Sequence, residues 1–182
     1  MKKIWIPVAL FVVGLIFLGM ALLDTTPDVY AIYGLEGLST EAMVETLDEQ
    51  TLDGNIIGAA ILETELVIHT TSGTNTYPID ADLFYLSIAP YINSTHPCHN
   101  HNLVTCRGEL ANETVSVYIE SADGDVLFDD DLTLYDNGFK GVWLPSDIDA
   151  TITITYDDLS VSHDFGTYED SGTCMTEPLK LS

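Results

Sequence analysis

The second half of the chain alternates apolar and polar residues with the period expected of β-strands. Val115, Val117 and Ile119 fall on one face of such a run, while Thr114 and Ser116 fall on the opposite face. Turn signals such as Asp-Gly and Asn-Gly separate the runs. The predicted strands cover residues 84–88, 115–119, 126–128, 132–134, 139–144, 152–156, 159–165 and 174–181. Seven or eight short strands of this kind predict an antiparallel β-sandwich.

The segment before residue 81 mixes helix and strand signals. A helix is predicted over 40–49, because Ser39 is a good N-cap and Met43 belongs to a partial apolar stripe. Two apolar, β-branched runs follow at 56–62 and 66–71. They suit either two short strands or a second helix that ends in a strand.

These patterns predict an α+β fold in which a small helical and mixed segment precedes an antiparallel β-sandwich. The expected domains are a membrane anchor or signal segment over 1–23, the helical and mixed segment over 24–80, and a metal-binding β-sandwich over 81–182.

The N-terminus carries an export signal. Lys2 and Lys3 precede an apolar run over 4–23 that contains no charged residue. The run is long enough to span a bilayer as a helix, and its only small-x-small sequence, at 19–21, is followed by the bulky Leu22. A retained membrane anchor is therefore favoured over a cleaved signal. In either case the rest of the chain lies outside the cytoplasm, in the periplasm or at the cell surface.

The exported part is strongly acidic. From residue 24 onward it keeps all 29 acidic residues and only three basic ones, Arg107, Lys140 and Lys180, so its net charge is −26. Such a charge repels nucleic acid and anionic lipid head groups, which leaves the N-terminal helix as the only expected membrane contact. The acidic run 129–131 with its acidic neighbours does not match the spacing of a calcium loop, and a solvated turn is expected there.

Three cysteines in an exported chain cannot all pair internally. One alternative is a purely structural disulfide, for which Cys106 and Cys174 are the most plausible pair because it would tie the last strand to the core. That reading leaves the third cysteine, Cys98, and a cluster of neighbouring histidines without a role. The other alternative is that the thiols bind a metal ion.

Soft metal donors concentrate in one loop between two predicted strands. Cys98 and His101 have a spacing that lets both side chains turn onto one ion, and Cys106 closes the loop. A shared site would require the three sulfur atoms to lie within about 4–5 Å of one another, given the usual metal–thiolate distance. The candidate ligands are Cys98, Cys106, Cys174, His101 and His96, with His99 as an additional nitrogen on the rim.

The donor set suits Cu(I) and Zn(II) and leaves these two ions near parity. Histidine nitrogens on the rim also suit Cu(II). A site with both donor types could accept Cu(II), take electrons from two thiolates and hold Cu(I); this reduction is a hypothesis that thiol counting tests.

Four motifs give the chain a resemblance to the CueP family of bacterial periplasmic copper-binding proteins. They are FYLSIAPY at 84–91, THxCxxHxxxTCxGEL at 95–110, DNGFxGxWLP at 136–145 and TC at 173–174. The resemblance runs from about residue 35 to the C-terminus. It implies that copper rather than zinc is the natural ion, and that the family's cysteines and histidine fall on the candidate ligands named above, with His99 in a variable position.

The resemblance implies a binding protein that sequesters copper in copper resistance, with reduction of copper and its delivery to a client protein as further steps. A second copy of the chain is an additional candidate partner. The main alternative is a cell-surface interaction domain stabilised by zinc or stapled by a disulfide. A thiol–disulfide oxidoreductase is disfavoured, because the chain has no Cys-x-x-Cys pair.

Overall fold

A computed structural model describes residues 29–50, 52 and 54–182 of the chain. The predicted membrane anchor or signal segment over 1–23 lies outside the described residues. Within them, no helix has the length and apolar character needed to cross a bilayer. The elements are α1 Val29–Tyr33, α2 Thr40–Glu49, β1 Ile56–Ile61, β2 Glu65–Thr70, β3 Gly73–Pro78, β4 Leu83–Ile88, β5 His101–Asn102, β6 Thr114–Ser121, β7 Val126–Thr133, β8 Lys140–Pro145, β9 Asp149–Tyr156, β10 Leu159–Gly166 and β11 Cys174–Met175.

Helix α2 forms where the sequence predicts it. The Ser39 hydroxyl accepts a hydrogen bond from the Ala42 N–H at 3.3 Å, which satisfies one of the free donors at the helix start. The buried face carries Met43, Val44, Leu47 and Asp48. Three of these are apolar, and the fourth is a carboxylate inside the core.

Three small sheets build the rest of the fold. The first has the strand order β3-β2-β1-β5, the second β11-β4-β8, and the third β10-β9-β6-β7. Their pairings are antiparallel except for the short parallel pairing of β11 with β4. The two apolar runs after α2 are therefore strands, and the alternative of a second helix is wrong.

The second and third sheets pack face to face, as the predicted β-sandwich requires. Val115, Val117 and Ile119 are buried against Phe84 and Leu86, while the alternate residues of β6 face outward. The α+β class with a small helical part and a β-sandwich is confirmed. The sequence alternation predicts these strands because one face of each outer strand contacts the core and the other faces water.

Strand β4 is different because it is buried on both faces. Its Phe84 side belongs to the sandwich core, whereas Tyr85 on the other side packs with Trp143, helix α2 and the first sheet. The second sheet is thus a middle layer that contacts the N-terminal elements as well as the sandwich. The division into domains at residue 80 stays a prediction.

Strand β7 corrects two expectations. The predicted strands 126–128 and 132–134 are one continuous strand, so the acidic run 129–131 lies within it and not in a turn. The three aspartates are exposed, as expected, because β7 is the edge strand of its sheet. Charges on an edge strand also discourage pairing with another chain.

The chain end is also less regular than predicted. The expected strand over 174–181 is reduced to β11, followed by a single bridge between Tyr91 and Lys180. This short parallel strand matters for the site, because it sets the position of Cys174.

Candidate metal centre

The loop between β4 and β6 meets the chain end at the edge of the middle sheet. Strand β5 pairs with β1, which places His101 opposite Ile61. Strand β11 runs alongside β4, and the Cys174 N–H donates a hydrogen bond to the His99 carbonyl at 2.9 Å. Residues distant in sequence are thereby brought to one cluster.

The three cysteines lie together, with two of them joined. Cys98 and Cys174 form a disulfide across a sequence separation of 76 residues, and Cys106 is free and buried. The Cys106 Sγ lies 3.7 Å from the Cys98 Sγ. The predicted Cys106–Cys174 pair is therefore wrong, because the backbone hydrogen bond from Cys174 to the His99 carbonyl brings Cys174 beside the neighbour of Cys98. The requirement that all three sulfurs lie within about 4–5 Å is met.

Two groups of donors share Cys106. His96, Cys98 and Cys106 form one group, and His101, Cys106 and Cys174 form the other; within each group the ligand atoms lie within 4.8 Å of one another. All five predicted ligands fall in these groups. His99 belongs to neither group among the described residues, and its side chain is 71 % exposed, with Nε2 3.9 Å from a Glu63 carboxylate oxygen.

His101 is held from outside the loop. Its ring is fully buried, and Nε2 lies 3.0 Å from Oδ1 of Asp48 on α2. The Tyr85 hydroxyl donates to Oδ2 of the same carboxylate at 2.7 Å, and Asn137 Nδ2 donates to Oδ1 at 3.5 Å. Among the described residues, His101 Nδ1 has no hydrogen-bond partner. Sequence reasoning missed Asp48, although an acidic residue on an apolar helix stripe is a signal that could have found it.

The electrostatics of the cluster favour a thiolate. Burial lowers the pKa of His101, but its hydrogen bond with Asp48 and its interaction with the nearby Cys106 sulfur outweigh burial and raise that pKa to about 9. Burial raises the pKa of Cys106, but interactions with His101, His96 and the Asn102 N–H outweigh it and lower that pKa to about 7. Both shifts favour an imidazolium–thiolate pair, and the thiolate is the form of cysteine that binds soft metal ions.

Phe139, which directly precedes β8, covers the histidines. The Phe139 ring is fully buried, with its centroid 4.5 Å from that of His101 and 6.2 Å from that of His96. The turn before Phe139 crosses the loop closely: the Gly108 N–H donates to the Asn137 carbonyl at 2.7 Å, and a Cβ on Gly108 would lie 2.3 Å from the Gly138 oxygen. Only glycine permits this crossing.

Glu109 ties the two ends of the loop together. Its Oε2 accepts the N–H groups of Ile92 and Asn93, both at 2.8 Å, and of Ser94 at 3.2 Å. Hydrogen bonds from the Asn93 backbone and side chain are the leading causes that lower the pKa of Glu109 to about 2. The carboxylate thus remains charged and fixes the loop that carries four of the candidate ligands.

Comparison with known proteins agrees with this geometry. A family model described as "Periplasmic copper-binding protein CueP" matches residues 42–179, a span that includes every candidate ligand and Asp48. The crystal structure of the protein S.CueP has a TM-score of 0.78 to this chain at 38% sequence identity, covering 84% of this chain and 96% of that one. A search of curated proteins found no match.

Proposed function

This chain belongs to the CueP family of periplasmic copper-binding proteins, and on that premise we propose that it sequesters copper through Cys98, Cys106, Cys174, His101 and His96. The observation that carries the proposal is the position of Cys106, whose sulfur is shared by both donor groups. Sulfur and imidazole donors suit Cu(I), and no hard carboxylate oxygen is among them.

The proposed site has two redox states. In the disulfide state, Cys106 is the remaining thiol, beside His96 and His101. An external thiol reductant that supplies two electrons and two protons converts the disulfide to the thiols of Cys98 and Cys174. With Cys106 they give three sulfur donors, a set that prefers Cu(I). Loading from Cu(II) is proposed to run between these states: two Cu(II) ions each accept one electron from the two thiols, which form the disulfide and release two protons.

Anaerobic titration of the reduced protein tests the binding site. Cu(I) and Zn(II) are each added against a competing chelator, to wild type and to Cys106→Ser, with His99→Ala as the matched histidine control outside both donor groups. We expect Cu(I) to bind more tightly than Zn(II), Cys106→Ser to lose most of the Cu(I) affinity, and His99→Ala to keep it. Equal Cu(I) affinity in wild type and Cys106→Ser would contradict the proposed site.

Thiol counting tests the reduction step. We expect the reduced protein to lose two thiols for every two Cu(II) ions added under anaerobic conditions, and the new disulfide to join Cys98 and Cys174. An unchanged thiol count would refute the step while leaving Cu(I) binding intact. Delivery is tested separately, by transfer of Cu(I) from the loaded protein to a copper-dependent client enzyme.

The disulfide itself supports a second candidate function, an interaction domain stapled by Cys98–Cys174. If that function is correct, the reduced protein should show no more than weak, non-selective metal binding.

The location of the protein is tested separately. We expect the protein outside the cytoplasm and tethered through residues 1–23, so detergent, and not high salt, should release it from membranes.

A further inference from the structure

One buried carboxylate in the structure is unexplained by packing. Asp48 lies on α2 and is 1 % exposed, far in sequence from the loop that carries the proposed ligands. A carboxylate in such a place is costly unless hydrogen bonds compensate it. Its partners are His101, Tyr85 and Asn137, and each comes from a different part of the fold.

The contact with His101 determines which ring nitrogen is free. Both Asp48 oxygens accept hydrogen bonds, Oδ1 from Asn137 and Oδ2 from Tyr85, so Nε2, 3.0 Å from Oδ1, carries the proton of that contact. Nδ1 is therefore the ring nitrogen that is left to bind a metal ion. That atom is buried without a hydrogen-bond partner among the described residues, and the ring shares its donor group with the sulfurs of Cys106 and Cys174.

Asp48 is not positioned to bind the ion itself. Oδ1 is engaged by His101 and Asn137, and Oδ2 by Tyr85. Neither of the two donor groups in the described part of the chain includes Asp48. Its influence on the site therefore acts through His101.

The carboxylate is also held firmly in place. The Tyr85 ring that donates to it is fully buried beside Gly141, where a Cβ would lie 1.9 Å from the Tyr85 Cζ. The His101 ring packs against the Phe139 ring, with a 31° angle between the two ring planes. Neither partner can move without repacking the core, so the direction of the hydrogen bond is fixed.

We infer that Asp48 is a positioning residue that keeps the Nε2 proton on His101, so that Nδ1 is the nitrogen that binds copper. This rests on the proposed function and extends the site to the N-terminal helix. A ring whose Nε2 proton is held by Asp48 would offer Nδ1 to the copper ion. Hydrogen-bonded carboxylates behind metal-binding histidines typically change metal affinity by about 10–100-fold when they are replaced.

The test combines affinity with the protonation of the ring. Asp48→Asn removes the charge at nearly constant shape, and Glu49→Gln removes one charge from the adjacent, exposed position of the same helix. Cu(I) affinity is measured by chelator competition, and the two His101 nitrogens are observed by nitrogen-15 NMR with and without Cu(I). The metal-free spectra are recorded at alkaline pH, where the ring is neutral.

In wild type and Glu49→Gln we expect a protonated Nε2 in both spectra and a Cu(I)-induced shift at Nδ1. Asp48→Asn should bind Cu(I) about 10–100-fold more weakly and show both neutral tautomers of His101. Copper bound through Nε2 in wild type, or an unchanged affinity and tautomer in Asp48→Asn, would overturn the inference.

Two further outcomes distinguish a failure of the proposed function from a failure of this inference. If wild type binds no Cu(I), the proposed function fails, while the metal-free tautomer still tests the role of Asp48. If Asp48→Asn does not fold, Tyr85→Phe decides, because it removes one donor to the carboxylate and leaves the His101 contact. A smaller loss of affinity with Nε2 still protonated supports the inference, and an unchanged affinity overturns it.

Discussion

The disulfide and the proposed copper ion should stabilise the fold in the same way, because both link the loop at Cys98 to the chain end at Cys174. The disulfide spans a sequence separation of 76 residues. In the chain-entropy model a loop of that length contributes about 4.5 kcal/mol at 25 °C by restricting the unfolded chain. Reduction should therefore lower the free energy of unfolding by about that amount, a large share of the roughly 5–15 kcal/mol typical of a domain.

Copper should restore much of this loss. If Cu(I) is bound by Cys98, Cys106 and Cys174, the ion closes the same loop in the folded protein. Ligand linkage adds about 2.7 kcal/mol when the free ligand is at 100 times its dissociation constant. The reduced protein with Cu(I) should thus lie between the reduced and the oxidised protein, or above both when the ion is in larger excess.

Anaerobic urea denaturation of the oxidised, reduced and Cu(I)-loaded protein measures these differences. Cys106→Ser is the control, because it keeps the Cys98–Cys174 disulfide and removes the sulfur common to both donor groups. It should lose stability on reduction as wild type does, and recover little with Cu(I). The reasoning is refuted if reduction changes the unfolding free energy by less than about 1 kcal/mol, or if Cu(I) restores Cys106→Ser as fully as wild type.

Three other outcomes follow from the site. Gly141→Ala should destabilise the protein by about 1–3 kcal/mol in urea denaturation, because the new Cβ overlaps the buried Tyr85 ring. This destabilisation should largely vanish in a Tyr85→Leu background. An equal destabilisation there would show that the overlap with Tyr85 is not its cause. In the metal-free oxidised protein, the ultraviolet absorbance of the Cys106 thiolate should appear as pH rises through the Cys106 pKa of about 7. His101→Ala should move the midpoint of this titration to higher pH. An unmoved midpoint would exclude the pairing of Cys106 with His101. Removal of Cu(I) by a chelator should leave the circular dichroism spectrum unchanged, whereas unfolding would favour a structural zinc site.

The parts of the fold predicted correctly are those whose two faces differ. Strands β6 and β9 alternate because one side meets the sandwich core and the other meets water. Strand β4 is predicted from the alternation of Phe84, Leu86 and Ile88, but it is buried on both sides, and the sequence did not indicate that its Tyr85 face is buried as well. Strand β7 was split at its three aspartates, because charge in the middle of an apolar run suggests a turn unless the strand is known to lie at an edge.

Four of the candidate ligands could be named because cysteine and histidine are rare and stand close together in one loop. Cys174 was added because a sandwich can bring its last strand beside that loop. Asp48 was not found, because 53 residues separate it from His101 and its partner is visible only in the folded chain. The disulfide pairing was wrong for a similar reason. It depends on the backbone hydrogen bond from Cys174 to the His99 carbonyl, which forms while β11 pairs with β4, and no local pattern specifies these contacts.

Several of the hydrogen bonds that hold the site in place are made by groups other than its sulfur atoms, which suits one scaffold to the two proposed redox states. The buried Thr173 hydroxyl accepts the His101 N–H at 3.1 Å and donates to the Ile61 carbonyl at 2.6 Å, so it joins the loop and the chain end to β1. Asp48 fixes the His101 ring from α2, and Glu109 fixes the loop from its other end. Because these contacts do not pass through the disulfide, we expect the exchange of the sulfur–sulfur bond for copper to move side chains and to leave the backbone that positions the donors in place.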